Sequence, residues 1–381
     1  MTELFGRFDF GLSEAEEARA ARLHADSIII DTLFQGPVGH RAFTDDMVKE
    51  LQADPANDDP VDAWVNAVAL VNQRARAGEL EGYEEIWRQT GLTATAFGIE
   101  VGTAEEVLAA AVDLATRVEP SQWLFKALTA ADIRRAKAEQ RHAVFVNCQP
   151  TTPVSRDLGL LDQAIDLGLR MLQLTYNYQD HIGAGCTERV DGGLSRFGVK
   201  VVEHLNERGV LVDVSHCGPQ TTLDACAFSS APVVASHTGA QGVYDHARGK
   251  SDEALDALAA TGGVVCVCAV PFFLAPGRPT VEVVLDHVDY IARRIGPDKV
   301  GIGTDWPVPL PAYLADRVGE DPERFHFRPE DNIGGFNLVG FDDYRDMPNI
   351  TRGLVSRGYS DEEIRGILGE NFLRVFETVC G

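Results

Sequence analysis

A (β/α)8 barrel is the fold class this sequence predicts, on three observations. Short apolar runs of strand character recur along the 381 residues. Segments with helix periodicity separate most of them, and strand-then-helix repeated about eight times is the pattern of such a barrel. Polar, chemistry-bearing side chains stand at the carboxyl ends of the strand runs, where barrels of this kind place their active sites.

The strand runs, in order, are 27–31 (SIIID), 93–98 (TATAFG), 123–128 (WLFKAL), 143–148 (AVFVNC), 169–175 (LRMLQLT), 210–215 (VLVDVS), 232–236 (PVVAS), 262–269 (GGVVCVCA) and 299–304 (KVGIGT). That is one strand too many. The run 123–128 is expected outside the barrel, because its helix TAADIRRAKAEQ passes at once into the next strand. Between the others, TAEEVLAAAVDLATRV and FGVKVVEHLNERG read as helices, the second stopped by Gly209.

Two segments break the repeat. Residues 36–90 are an insertion after the first strand, with a helix expected at VDAWVNAVALVNQRARAGE. Residues 307–345, rich in Pro, Gly, Asp and Phe, form a long loop after the last strand. In a barrel both fall at the catalytic mouth. The chain closes with SDEEIRGILGENFLRVFETV, in which Ser360 and Glu363 make a capping box. With no internal repeat or linker, residues 1–381 read as one domain, the 36–90 insertion lying near the barrel mouth.

Composition narrows the partners. A 45% hydrophobic, 24% charged chain is ordinary for a soluble globular protein. The net charge of −24 argues against nucleic acid and anionic membrane surfaces. The N-terminal stretch lacks a basic region followed by an apolar one, and GGVVCVCAVPFFLAP is too short to span a bilayer. Seven cysteines without framework spacing suit reduced thiols in a cytoplasmic protein. A small-molecule substrate is therefore expected, with no nucleic-acid or membrane partner and with room for a homo-oligomer.

The strand ends carry Asp31, Gln149, Tyr176 with Asn177, His216, His237 and Asp305. VDVSH and VVASH place two histidines at successive strand ends, where they can share a metal ion; GIGTDW adds Asp305 from the last strand. Two imidazoles and a carboxylate suit zinc or a similar divalent ion, and Asp305 could instead act as a general base. A lone histidine at a strand end is more often a satisfied polar residue, so it is the pairing that carries the argument. Arg248, in DHARGKSDEAL, can clamp a substrate carboxylate or be a surface charge. Cys148 should point away from the barrel if Gln149 points in.

The stretch LTYNYQDHIGAGCTERVDGGLSRFGVKVVEHLNERGVLVDVSHCG, continued by APVVASHTGA, ARGKSDEAL, GGVVCV and VGIGTDW, resembles the membrane (renal) dipeptidase family of the amidohydrolase superfamily. NITRGLVSRGYSDEEIRGILGENFLRVFETV resembles that family's C-terminus. The resemblance covers 22–35 and 90–380 and leaves the insertion unmatched. It implies a (β/α)8 barrel and hydrolysis of dipeptides with two zinc ions. It assigns His216 and His237 to one ion, Asp305 to the other ion and to the general base, and Arg248 to the substrate carboxylate.

The same resemblance exposes departures. The family's first strand ends Asp-Gly-His-x-Asp; here it reads Asp31-Thr32-Leu33-Phe34-Gln35, so the metal-binding His and Asp become Leu33 and Gln35. Gln149 aligns with the bridging glutamate, and Tyr176 stands where some members carry a histidine. A neutral amide is a poor bridge between two cations. A divergent member holding one metal at most is expected, on His216, His237 and Asp305, with zinc or no metal as the cofactor. Arg248, Tyr176, Asn177, Gln149 and Gln35 are expected to contact substrate. Three functions follow from these residues: a dipeptidase-like hydrolase of a small amide with a free carboxylate, a metal-independent acid–base enzyme in the same pocket, and a non-catalytic ligand-binding homologue.

Overall fold

The structure, a computed structural model, describes residues 6–36, 43–80, 83–151, 153–307, 310–311, 313–314, 317 and 337–381. Its strands are β1 (Ile30–Asp31), β2 (Ala94–Gly98), β3 (Leu124–Lys126), β4 (His142–Cys148), β5 (Leu169–Gln173), β6 (Leu211–Asp213), β7 (Val233–Ala240), β8 (Gly249–Lys250), β9 (Val265–Val267) and β10 (Val300–Ile302). Eight of them form the parallel path β1-β2-β4-β5-β6-β7-β9-β10. As expected, β3 stays off that path and pairs only with the start of β4.

The ends of the path meet. Thr32 N donates to Ile302 O (3.2 Å) and Asp305 N to Leu33 O (2.8 Å), so the sheet closes between its first and last strands. Asp31 fastens the same seam. Its buried carboxylate accepts Leu33 N (3.1 Å), Thr304 N (2.8 Å) and Thr304 Oγ1 (2.6 Å). Burial outweighs these hydrogen bonds and pushes the carboxyl up to about 7. The position just past β10 must be glycine: a Cβ on Gly303 would stand 1.8 Å from Ser236 O across the barrel.

Side chains alternate across the strands as the pleat requires. Ile30, Ala94, Ala96, Ala143, Phe145, Met171, Leu211, Val234 and Cys266 fill the interior, while Phe97, Val144, Val146 and Cys148 belong to the cluster under the helices. Phe372 and Phe376, from the helix Asn371–Cys380, pack against Phe145 with ring centroids 5.5 and 5.6 Å away, the first tilted and the second edge-to-face, and plug the inner core. Ser360 and Glu363 form the expected capping box.

Three features depart from expectation. The short strand β8 pairs with Gly239–Ala240 of β7. No apolar run announces it, because it forms through backbone bonds of Gly249 and Lys250. Among its described residues the insertion holds three α-helices and a 3-10 turn (Pro55–Asp58) where one helix was expected: α2 (Asp45–Ala53), α3 (Pro60–Arg76) and α4 (Tyr83–Thr90), after the N-terminal α1 (Glu14–Asp26). Thr44 and Asp59 cap α2 and α3, and Pro60 opens α3 where its missing N–H costs nothing. Most of the 307–345 loop lies outside the described residues. Among the described residues no helix is long and apolar enough to cross a membrane.

Candidate functional site

His216 follows β6 by three residues and His237 lies within β7, and their rings meet at the mouth with Nε2 atoms 2.9 Å apart. Both are buried. Their protonation is set from behind. The Asp213 carboxylate, facing inward from β6, accepts Ser215 Oγ (2.7 Å), Ser215 N (3.0 Å), Ser236 N (2.9 Å) and Ser236 Oγ (2.5 Å). A carboxylate only accepts, so both hydroxyl protons point at Asp213. Ser236 Oγ therefore offers a lone pair to His237 Nδ1 at 2.8 Å, which places the ring proton on Nδ1 and leaves Nε2 bare. Asn177 Oδ1, 2.7 Å from His216 Nδ1, imposes the same tautomer on His216.

Two bare nitrogens thus face each other. Gln149 Nε2 approaches His216 Nε2 at 3.1 Å and donates into one of them. Burial, with the nearby charges of Arg248 and Lys250, holds both imidazoles well below the usual histidine range. The Tyr176 ring stacks on His216 at 4.2 Å and 18°. Burial raises its phenol above the ordinary tyrosine value.

Asp305 comes next along the closed seam. Its backbone is left-handed, with φ of 57°, so the chain turns sharply out of the last strand and delivers the carboxylate to the mouth. Gln35 Nε2 donates to Asp305 Oδ1 at 2.8 Å, and Gln35 N is anchored on the buried Tyr344 hydroxyl at 3.0 Å. Desolvation raises the Asp305 carboxyl to about 6, against the opposing pull of Gln35 and Arg248. Among the described residues, no three His, Cys, Asp or Glu side chains gather as a metal-ligand set. His216 and His237 converge, while Asp305 is engaged by Gln35.

Arg248 is buried, not the surface charge that the sequence left open. It precedes β8, donates to Ser215 O (2.5 Å) and His237 O (3.2 Å), and lies over the Phe273 ring at 5.3 Å. Its Nε has no hydrogen-bond partner among the described residues. Lys250 is buried too, and it donates to Val214 O (2.6 Å), Cys217 O (2.9 Å) and Thr222 Oγ1 (3.1 Å). Both cations thus brace the strand ends that carry the histidines. Cys148 points into the helix-side core while Gln149 reaches His216, as strand alternation predicts. Burial pushes the Cys148 thiol well up, away from thiolate chemistry.

Sequence reasoning missed the Asp213–Ser215–Ser236 support. Its signal was present: each site histidine directly follows a serine, and Asp213 stands two residues before the first. Also missed was a cavity of about 860 Å³ beside the histidines, bounded by Gln35, Gln149 and Tyr176 on one side and by α3, α4 and Trp123 on the other.

A closed parallel barrel with paired imidazoles at successive strand ends and a carboxylate after the last strand defines an amidohydrolase-type barrel. The chain belongs to the membrane dipeptidase family (peptidase family M19), which matches residues 17–316 and 331–380. That match runs through residues 36–90, so the insertion is part of the family's extent and not the unmatched segment that the motifs suggested. Dipeptidase verJ of Clonostachys rogersoniana is 30% identical over 256 residues, 66% of this chain; the match spans 59% of that relative's length. The structure is similar to that of an amidohydrolase from Pseudomonas aeruginosa, with a TM-score of 0.73, 28% identity and coverage of 94% of this chain and 98% of that one. A metallo peptidase from Rhodobacter sphaeroides, liganded with a phosphinate mimic of L-Ala-D-Ala, shares the fold. Its TM-score is 0.66 at 19% identity, covering 93% of this chain and 100% of that one.

Proposed function

We propose that this protein hydrolyses a small amide or dipeptide-like substrate with a free carboxylate, using one divalent ion at most. The observation that carries this reading is the His216–His237 pair. Two imidazoles with protons confined to Nδ1 present bare Nε2 atoms 2.9 Å apart, an arrangement that repels unless a proton or cation lies between them. Metal–nitrogen bonds of about 2.0–2.1 Å place adjacent ligand nitrogens roughly 2.9–3.4 Å apart, so the pair suits neighbouring positions on one zinc-like ion. The positions matching the second ion do not suit one. Leu33 is apolar, and Gln35 and Gln149 are neutral amides turned as donors toward Asp305 and His216.

When bound, such an ion supplies Lewis-acid polarisation of the scissile carbonyl. Asp305 takes a proton from the attacking water as the water oxygen bonds the amide carbon, then returns it to the nitrogen as the C–N bond breaks. Its raised carboxyl, near 6, suits both directions of that transfer. Arg248 presents positive charge for the substrate carboxylate, and Tyr176 and Asn177 hold the His216 ring in place. Membership of the dipeptidase family supports this chemistry. The seven free thiols support a cytoplasmic location.

One observation favours a second reading. Gln149 already donates to His216 and Gln35 to Asp305, so these two groups have hydrogen-bond donors without any ion. A metal-independent acid–base enzyme would use the same three groups.

The test is metal content per chain by plasma mass spectrometry, with amino-acid release from a dipeptide panel, on untagged protein and on the His216→Ala/His237→Ala double variant. About one ion per chain, lost together with hydrolysis in the variant, is expected. No bound ion after incubation with zinc, manganese or cobalt, but persistent turnover, would transfer the function to the metal-independent reading. No turnover of any dipeptide under either condition overturns the hydrolase.

A further inference from the structure

The cavity beside the histidines is more than an approach to them. Adjacent side chains of β2 face opposite ways, Ala96 toward the barrel and Phe97 toward the helices, yet both line it. It therefore passes over the end of β2, from the mouth into the space beneath the insertion. There Phe34, Trp87 and Trp123 form a continuous aromatic wall: Phe34–Trp87 centroids are 4.9 Å apart and Trp87–Trp123 5.6 Å. Trp64 and Tyr83 extend that wall, so three of the chain's four tryptophans line this one space. About 860 Å³ is the volume of a pocket for a drug-sized ligand and far exceeds the needs of two small residues.

Its polar lining mixes donors and acceptors: the Trp87 indole N–H has no hydrogen-bond partner among the described residues, and on the acceptor side two further groups are unpaired. Asn147 is 2% exposed, and its Oδ1 has no hydrogen-bond partner among the described residues. The atom lies 3.9 Å from where a Cβ on Gly98 would stand, and Gly98 also lines the cavity, so the missing side chain opens the space beside it. The Thr95 hydroxyl, fully buried on the opposite, helix-facing side of the sheet but also in the lining, has no partner among the described residues either. Glu100 adds a carboxylate, which accepts Thr151 N (3.2 Å) and Oγ1 (2.8 Å). The cation in the lining, Arg117, is paired with Asp113 at 2.6 Å. Arg248 does not line the cavity.

We propose that this cavity is the subsite for the amino-terminal half of the substrate, and that it selects a bulky apolar or aromatic side chain beside a free ammonium group. Asn147 Oδ1 accepts from the ammonium, the aromatic faces attract the cation and bury the side chain, and Glu100 adds negative potential. The carboxylate end is then directed away, toward Arg248. This assignment of ends rests on the hydrolase reading; the preference of the cavity for an apolar cation does not.

The test uses probes without an amide bond, so that binding is separate from turnover. Phenethylamine, 3-phenylpropionate and methylamine are titrated into the full-length protein, with tryptophan emission excited at a wavelength these probes do not absorb. Saturable binding of phenethylamine, at least tenfold tighter than the other two, is expected. Gly98→Val, at a site with open space and ordinary backbone, and Asn147→Leu should each weaken it at least tenfold with the melting temperature unchanged. In turnover, Gly98→Val should depress kcat/KM for Phe-Gly at least tenfold more than for Ala-Ala or Gly-Phe. Equal binding of the amine and the acid, or no binding of either, overturns the subsite, and that wild-type comparison requires no variant. If phenethylamine binds selectively but no dipeptide turns over, the subsite stands and the hydrolase reading falls.

Discussion

Gln35 donates its side-chain amide to Asp305 across the barrel seam at 2.8 Å, joining the loop that follows the first strand to the loop that follows the last. A carboxylate in that place would repel Asp305 unless a cation separated them. An amide instead stabilises the ionised form of Asp305 and opposes the desolvation that raises its carboxyl to about 6.

As a base, Asp305 works only when ionised. The logarithm of kcat/KM should therefore fall with unit slope below about pH 6 and level off above it. Gln35→Leu removes a donor to the ionised form, so the acid limb should move to higher pH. A pH–rate profile of both proteins checks this; a limb that stays in place would show that Asp305 is not the titrating base. Asp305→Asn should lower kcat by roughly a hundredfold or more.

Ser236 determines the tautomer of His237 only while its own proton is committed to Asp213. Ser236→Ala should leave His237 free to carry its proton on either nitrogen, and affinity for zinc should drop by about 10–100-fold. Competition with a chromophoric chelator measures this, and an unchanged affinity would remove the serine from the ligand-orienting role.

His24 of α1 is half-buried, contacts Thr351 Oγ1 through Nδ1 at 2.8 Å, and packs its ring against Gly91. Burial lowers it from 6.5 to about 4. Above pH 6.5 the ring is neutral folded or unfolded and contributes no pH dependence. As the pH falls from 6.5 toward 4, the unfolded chain takes up a proton that the folded one refuses, so stability declines, by roughly 2 kcal/mol at pH 5. Denaturant unfolding at pH 7.5 and pH 5 should show a smaller loss for His24→Gln than for the parent protein.

Gly303→Ala would force a methyl group to within 1.8 Å of Ser236 O. Because that oxygen belongs to the strand carrying His237, the clash should cost about 1–3 kcal/mol or more, with a lower melting temperature and reduced turnover together. An unchanged melting temperature would show that the seam can shift without cost.

The barrel was legible because its signals are local. Apolar runs such as AVFVNC, the glycine stop at Gly209 and the Ser360 capping box each need only a few neighbouring residues, and the structure places strands, a helix end and a cap there. Strand β8 was not legible, since two residues paired through their backbones leave no pattern in side-chain hydropathy. The insertion was partly legible: its longest helix was expected, but its neighbours and the cavity beneath them were not.

By itself, then, the sequence determined the alternation of strands and helices, the identity of the groups at the strand ends and the neutral side chains at positions 33, 35 and 149. Only tertiary structure decided what those groups do to one another. Gln35 meets Asp305 from 270 positions away, and a proton is confined to His237 Nδ1 because Asp213, 23 residues before Ser236, turns both serine hydroxyls toward itself. Hydropathy and propensity act over a few neighbouring residues. Hydrogen-bond direction and cavity shape depend on which distant strands become adjacent when the barrel closes.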